Sequence, residues 1–150
     1  MKQFKFRLAT LVRLREAARD ERRAQLADAL RVQATLEGQL QDFEQQLREI
    51  RHSQASPAGP IDVDKLLAAQ RYEVVLHLET RKLRGQLATV AVEVDKRRQA
   101  LVVADQEVKV LEKLRDRQHE RYVADGELAL TKELDEIAGR RGPAAGVLDG

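Results

Sequence analysis

The chain has no cysteine and no tryptophan, and only three phenylalanines and two tyrosines among its 150 residues. Without cysteine there is no disulfide framework and no thiolate metal site, and nothing is learned about compartment. With aromatics at 3%, few large side chains are present to fill a three-dimensional core. Only three prolines occur, and two of them, Pro57 and Pro60, stand together near the first third of the chain. No apolar run approaches the roughly 20 residues needed to cross a membrane. The opening Met1-Lys2-Gln3-Phe4-Lys5-Phe6-Arg7 is basic but lacks the apolar stretch of a secretion signal. The expected location is therefore the cytoplasm.

Charge is abundant instead. Charged residues make up 35% of the chain, and they nearly cancel to a formal +2, which weakens any general argument for binding polyanions. Hydrophobic residues reach 43% and recur periodically, which excludes a disordered polyampholyte. A narrow apolar seam with charge on every other face is the composition of a coiled coil.

One internal segment breaks helix: Ser53-Gln54-Ala55-Ser56-Pro57-Ala58-Gly59-Pro60. Proline removes an amide donor and glycine adds backbone entropy. Asp62 follows as a candidate N-cap, with Asp64 in the first turn. The last twelve residues, 139–150, are rich in Gly, Pro and Ala and are expected to be a disordered tail. The domain expected is thus 1–138, with a helix over 5–52, a turn over 53–61 and a helix over 62–138.

Each predicted helix carries a seam. In the second, alternate steps of four and three from Leu76 reach Thr80, Leu83, Leu87, Val90, Val94, Arg97, Leu101, Ala104, Val108, Leu111, Arg115, Gln118 and Tyr122. Only Arg97 interrupts the apolar series from Leu83 to Leu111. In the first, Leu8, Leu11 and Leu14 precede a basic stretch around Arg19, Arg22 and Arg23. Leu26, Ala29, Val32, Leu36, Leu40, Phe43, Leu47 and Ile50 follow it.

A connection this short folds the second seam back on the first. The fold class expected is all-α, a long antiparallel two-helix coiled-coil hairpin. Counting equally outward from Pro57 places residue i opposite about 113 minus i. The second helix then overhangs the first beyond about Val110, still carrying Leu111, Leu114, Tyr122, Leu128, Leu130, Leu134 and Ile137. Gly126, at a cost of about 1 kcal/mol in a helix interior, is expected to end or bend this arm. The arm either folds back or docks on a partner, and docking is the expectation taken here.

Catalytic constellations are sparse. His52, His77 and His119 are far apart, the serines are Ser53 and Ser56 in the turn, and no glycine-rich phosphate loop occurs. The chain is expected to be no enzyme, with no cofactor, no metal and no small-molecule substrate. Residues 1–31 hold nine basic against four acidic side chains, and 105–138 hold ten acidic against six basic. Mutual neutralisation across the hairpin is the simplest reading of that asymmetry. A nucleic-acid-binding hairpin is a weaker alternative, because the basic zone lacks aromatics on which bases could stack.

Three segments together resemble the flagellar FliJ family, coiled-coil components of the flagellar type III export apparatus. Phe4-x-Phe6-Arg7-Leu8-x-x-Leu11 followed by Arg13-Leu14-Arg15-Glu16 is similar to the family's start. Leu111-Glu112-Lys113-Leu114-x-x-Arg117 resembles its second-helix signature, and Lys132-x-Leu134-Asp135-Glu136-Ile137-Ala138 its C-terminal box. Gly126-Glu127-Leu128-Ala129-Leu130-Thr131 departs from the Arg/Gln-rich stretch often found before that box.

The resemblance implies a stalk like that of rotary ATPases. Its terminal helices would enter a hexameric export ATPase, promote ring assembly, contact the membrane export gate protein and handle export chaperones. Such a stalk would be cytoplasmic and peripherally associated with the membrane export apparatus, in the service of flagellum biogenesis and motility. The ATPase-facing residues it implies are Phe6, Arg7, Leu11, Arg15, Lys113, Arg117, Lys132, Asp135 and Glu136. The gate-facing residues it implies are Gln39, Phe43, Ile50, Tyr72 and Leu76. Of these, Phe43, Ile50 and Leu76 also read as plain seam, while Tyr72 falls off it. A generic coiled-coil scaffold and the stalk of an injectisome secretion system are the alternative readings.

Overall fold

The computed structural model describes residues 3–55 and 59–146. Among the described residues are two helices, α1 (Ala9–Ala55) and α2 (Val63–Gly146), and no strand. They pack against each other as an all-α hairpin. The expected break at Pro57 lies outside the described residues, as do positions 147–150 of the expected tail.

Local chemistry sets the helix ends. The Asp62 side chain accepts hydrogen bonds from the Asp64 and Lys65 amides at 3.1 and 3.4 Å. It caps donors that have no partner inside the helix, and Asp64 adds an acid to the positive end of α2. Gly59 turns the chain with a φ of 100°, a conformation that glycine adopts without a Cβ clash.

The first helix starts at Ala9 rather than at residue 5. Lys5, Phe6 and Arg7 offer no side-chain acceptor, and the first turn holds no acid. The chain enters instead through a turn in which the Ala9 amide donates to the Phe6 carbonyl at 3.2 Å. At its other end α1 continues three residues past 52, and α2 continues past 138 to Gly146. Neither Gly126 nor Gly139 ends α2, and nothing lies within 4 Å of where a Cβ would stand at either. An isolated glycine costs a helix only about 1 kcal/mol, too little to stop one supported by its neighbours.

The molecule divides into two units. A turn unit comprises Ala18–Ala104, and a terminal unit comprises Met1–Ala17 with Asp105–Gly150. In the turn unit the α2 seam buries Leu76, Thr80, Leu83, Val94 and Ala104, with Leu87, Val90, Arg97 and Leu101 half-buried between them. The α1 seam buries Ala29 and Leu47, with Leu26, Gln33, Leu36, Leu40, Phe43 and Ile50 half-buried. Val32, expected in that seam, is 51% exposed. A step of three back from Leu36 reaches Gln33, which holds the inward position instead.

In the terminal unit Val12 and Val108 are buried, and Leu8, Leu11 and Leu111 are half-buried. Leu14, also expected inward, is 62% exposed. Val12, two heptads before Leu26, takes its place.

Pairs across the helices give the register. In the turn unit Arg97 reaches Gln25 and Arg51 reaches Glu73. In the terminal unit Arg15 reaches Glu107, and Phe4 packs on His119. Each places residue i opposite about 122 minus i. The expected 113 minus i is corrected by this. Two heptad seams mesh only where their apolar positions coincide, so register moves in heptad steps. A count outward from a proline does not respect those steps. In the observed register Leu40 comes opposite Leu83, Leu47 opposite Leu76 and Ala29 opposite Val94.

Two polar groups sit in the seam with different outcomes. The Arg97 guanidinium donates to the Gln25 carbonyl at 2.5 Å and to Glu93 at 2.8 Å, so its charge is bonded where it passes the apolar face. Thr80 is 3% exposed and its hydroxyl has no hydrogen-bond partner among the described residues. A buried unpaired hydroxyl costs about 1–3 kcal/mol.

Thr80→Val keeps the shape and removes that hydroxyl. It should raise unfolding stability by about 1 kcal/mol in urea titration, and a loss would show that the hydroxyl is satisfied. Val94→Asp places a charge where the native side chain is 5% exposed. It should destabilise the helix pair by about 3 kcal/mol or more in the same titration.

Candidate partner-docking surfaces

The terminal unit holds all nine residues expected to face an ATPase. Phe6 and Leu11 are half-buried against α2, while Arg7, Arg15, Lys113 and Arg117 are exposed. Because α1 enters antiparallel to this part of α2, Phe6, Arg7 and Leu11 come opposite the stretch that carries Lys113 and Arg117. The structure thus brings those five to one end of the paired helices. Arg15 joins them through its 2.9 Å ion pair with Glu107, both side chains being about 45% exposed. A pair so hydrated contributes about 1 kcal/mol at most.

Phe4 closes the pairing. Its ring meets His119 edge-on at 5.1 Å and lies tilted against Tyr122 at 5.6 Å. Aromatic pairs at such separations add about 0.5–1.5 kcal/mol beyond area burial. The sequence reading passed over this cluster, because His119 looked isolated and Phe4 lay outside the seam. The Phe4-x-Phe6 spacing and Tyr122 at a seam position were the available signals. Through these contacts pairing extends to Tyr122, not to about Val110 as expected. Leu111 is accordingly half-buried.

Lys132, Asp135 and Glu136 are not brought together with the rest. They stand on α2 beyond Tyr122, and Lys132 is about 22 Å along the helix from Arg117 by helical rise. This arm is helical and exposed throughout 123–141. Leu128, Leu130, Leu134 and Ile137 are 48–58% exposed, so the arm does not fold back on the chain.

The residues expected to face an export gate all lie in the turn unit, and they divide in two. Leu76 is 2% exposed and Phe43 and Ile50 are half-buried in the seam, so most of their area already serves the helix pair. Gln39 is exposed, and Tyr72 is 49% exposed. The Tyr72 hydroxyl donates to Gln46 Oε1 at 2.5 Å, which fixes the ring beside a shallow groove lined by Gln46, Glu49, Ile50, Ser53, Gln54 and Ala69. An amphipathic ring with its polar end anchored and its face open is a common anchor for a protein partner.

Among the described residues there is no cluster of His, Cys, Asp or Glu arranged to hold a metal ion. No helix among them is long and apolar enough to cross a membrane.

Neither a curated protein nor a solved structure matches the chain. The family described as flagellar FliJ protein matches residues 4–145, a span that takes in the Phe4 cluster, both seams and the exposed arm. The chain therefore belongs to the flagellar FliJ family and is a component of the flagellar export apparatus.

Proposed function

We propose that the chain is a non-enzymatic stalk, whose terminal unit inserts into the hexameric export ATPase and favours assembly of the ring. Its turn unit then contacts the membrane export gate protein, and the same molecule handles export chaperones. It works in the cytoplasm at the periphery of the membrane export apparatus.

The observation that carries this reading is the arm of α2 beyond Tyr122. It leaves Leu128, Leu130, Leu134 and Ile137 about half exposed on a helix that α1 does not reach. Exposed apolar side chains repeated along one helix are a docking signal. Arg7, Lys113 and Arg117 beside the Phe4 cluster supply cations for acidic groups on a ring's inner wall, and Lys132, Asp135 and Glu136 extend the polar contact along the arm. On the turn unit, Tyr72 and Gln39 are the gate-facing residues with area to spare. Phe43, Ile50 and Leu76 support them from the seam.

Added to the cognate export ATPase, the purified chain should raise nucleotide hydrolysis by favouring hexamers, and the effect should saturate. A stalk acts only through its differential affinity for the assembled state. Unchanged hydrolysis at saturating chain would defeat the stalk reading.

Deletion of residues 127–150 should weaken ATPase binding at least tenfold while moving the melting temperature by less than about 3 °C, because the seams stay intact. A large fall in melting temperature with unaltered affinity would assign the arm to folding instead of docking.

A further inference from the structure

The outward face of α2 in the turn unit carries an apolar line that the hairpin does not use. Leu67, Val74 and Leu78 follow one another at intervals of seven and four, and are 46%, 58% and 61% exposed. They lie on the side of the helix away from Leu76 and Leu83, which are 2% and 5% exposed. Gly85 and Val92 continue the line. Along Val74 and Leu78 its charged neighbours share one sign, Asp64 one turn before Leu67 being the acidic exception: Arg71, Arg81 and Lys82 are all exposed, and none makes an ion pair among the described residues. From Lys65 to Val92 there are five Lys and Arg against two Glu. One of those two, Glu73, already faces Arg51 at 3.7 Å and His77 at 3.6 Å.

The arm of α2 has the same pattern with the opposite sign. Val123, Leu130, Leu134 and Ile137 follow at intervals of seven, four and three, and are 42–58% exposed. By helical rotation Glu127 and Glu133 fall on either side of that line, with Glu120 beside it one turn earlier. All three are exposed and unpaired among the described residues. From Glu120 to Ile137 there are six acidic and two basic side chains.

An apolar line with cationic rims and an apolar line with anionic rims are complementary in both shape class and charge. A helix cannot lie on an earlier stretch of itself, and α2 is unbroken from Val63 to Gly146. The occupant must therefore come from another molecule. We propose that the acidic arm of one copy docks on the basic outer face of the turn unit of a second copy, so that the free protein self-associates and covers its own arm. Val123, Leu130, Leu134 and Ile137 pack along Leu67, Val74 and Leu78, and Glu127 and Glu133 meet Arg71, Arg81 and Lys82. The contact stands on these faces alone and does not require the stalk reading. If the arm also serves the ATPase, self-association and ring binding compete for it.

The test is sedimentation equilibrium of the full chain over a range of concentration and salt. Reversible association is expected, and it should weaken as salt rises, because exposed charges are screened beyond about 10 Å at 0.1 M. Two charge-reversed variants make the contact specific. Arg71→Glu with Arg81→Glu and Lys82→Glu reverses the face, and Glu127→Lys with Glu133→Lys reverses the arm. Each alone should associate at least tenfold more weakly. An equimolar mixture should recover association, since reversed face meets reversed arm and native arm meets native face. Val74→Ser with Leu78→Ser, neutral in charge, should weaken association at low and high salt alike, with unchanged helicity by circular dichroism. A chain that stays monomeric throughout, variants that associate as well as the parent, or a mixture that stays apart would each overturn the proposal.

Discussion

The meshing of two heptad seams is the constraint on which the rest depends. With few aromatics, the chain buries small and medium side chains in single file, and each layer contributes only about 1.5–3 kcal/mol per fully buried aliphatic residue. Such a file stabilises the pair only if every layer faces its counterpart. A slip by one residue would put Leu83 against a polar neighbour of Leu40, and the same error would recur along each unit. Register is therefore fixed in heptad steps, and register decides which side chains remain outside the pair. The exposed arm, the outward Tyr72 and the two charged faces of α2 all follow from it.

Polar groups in the seam show how little slack this leaves. Arg97 is accommodated because its guanidinium leaves the apolar file to reach the Gln25 carbonyl and Glu93. Arg19 is only 23% exposed in its side chain and sits at an α1 seam position opposite Ala104, whose small side chain leaves room for its stem. Thr80 has no such outlet for its hydroxyl. Cross-helix ion pairs such as Arg84 with Glu44 at 3.3 Å are hydrated. They add more to the choice of register than to stability.

The sequence made the α2 seam legible position by position from Leu76 to Leu111, because alternation of four and three is a strong signal over four heptads. Asp62 was legible as a cap for the same kind of reason, a residue type with one mechanism. Leu14 and Val32 were misplaced where α1 carries Arg19 and Gln33 at inward positions and exposed Arg15 and Arg22 interrupt the apolar series. There the hydrophobic pattern no longer reports the seam, and a nearby apolar residue is mistaken for it. Register was misread because it depends on layers meeting across space, which a count from Pro57 does not capture. At the candidate surfaces, residue types pointed to Tyr72 and the arm, whereas the Phe4–His119–Tyr122 cluster needed the fold to bring residues more than a hundred positions apart together.

Register also separates the parts of the chain available to partners from those committed to the helix pair. If α1 ran out near Val110, Lys113 and Arg117 would belong to a bare helix. With pairing carried on to Tyr122 by the segment before α1, they lie beside a paired end and only the later segment is single. The absence of native cysteine allows a direct measurement. Two cysteines placed at Arg15 and Glu107 should cross-link rapidly within one molecule with a short bismaleimide, since those side chains stand 2.9 Å apart. Cysteines at Arg15 and Arg98, the partner position in the rejected register, should cross-link slowly or not at all. Fast cross-linking of the second pair and none of the first would contradict the register and the division of the surface derived from it.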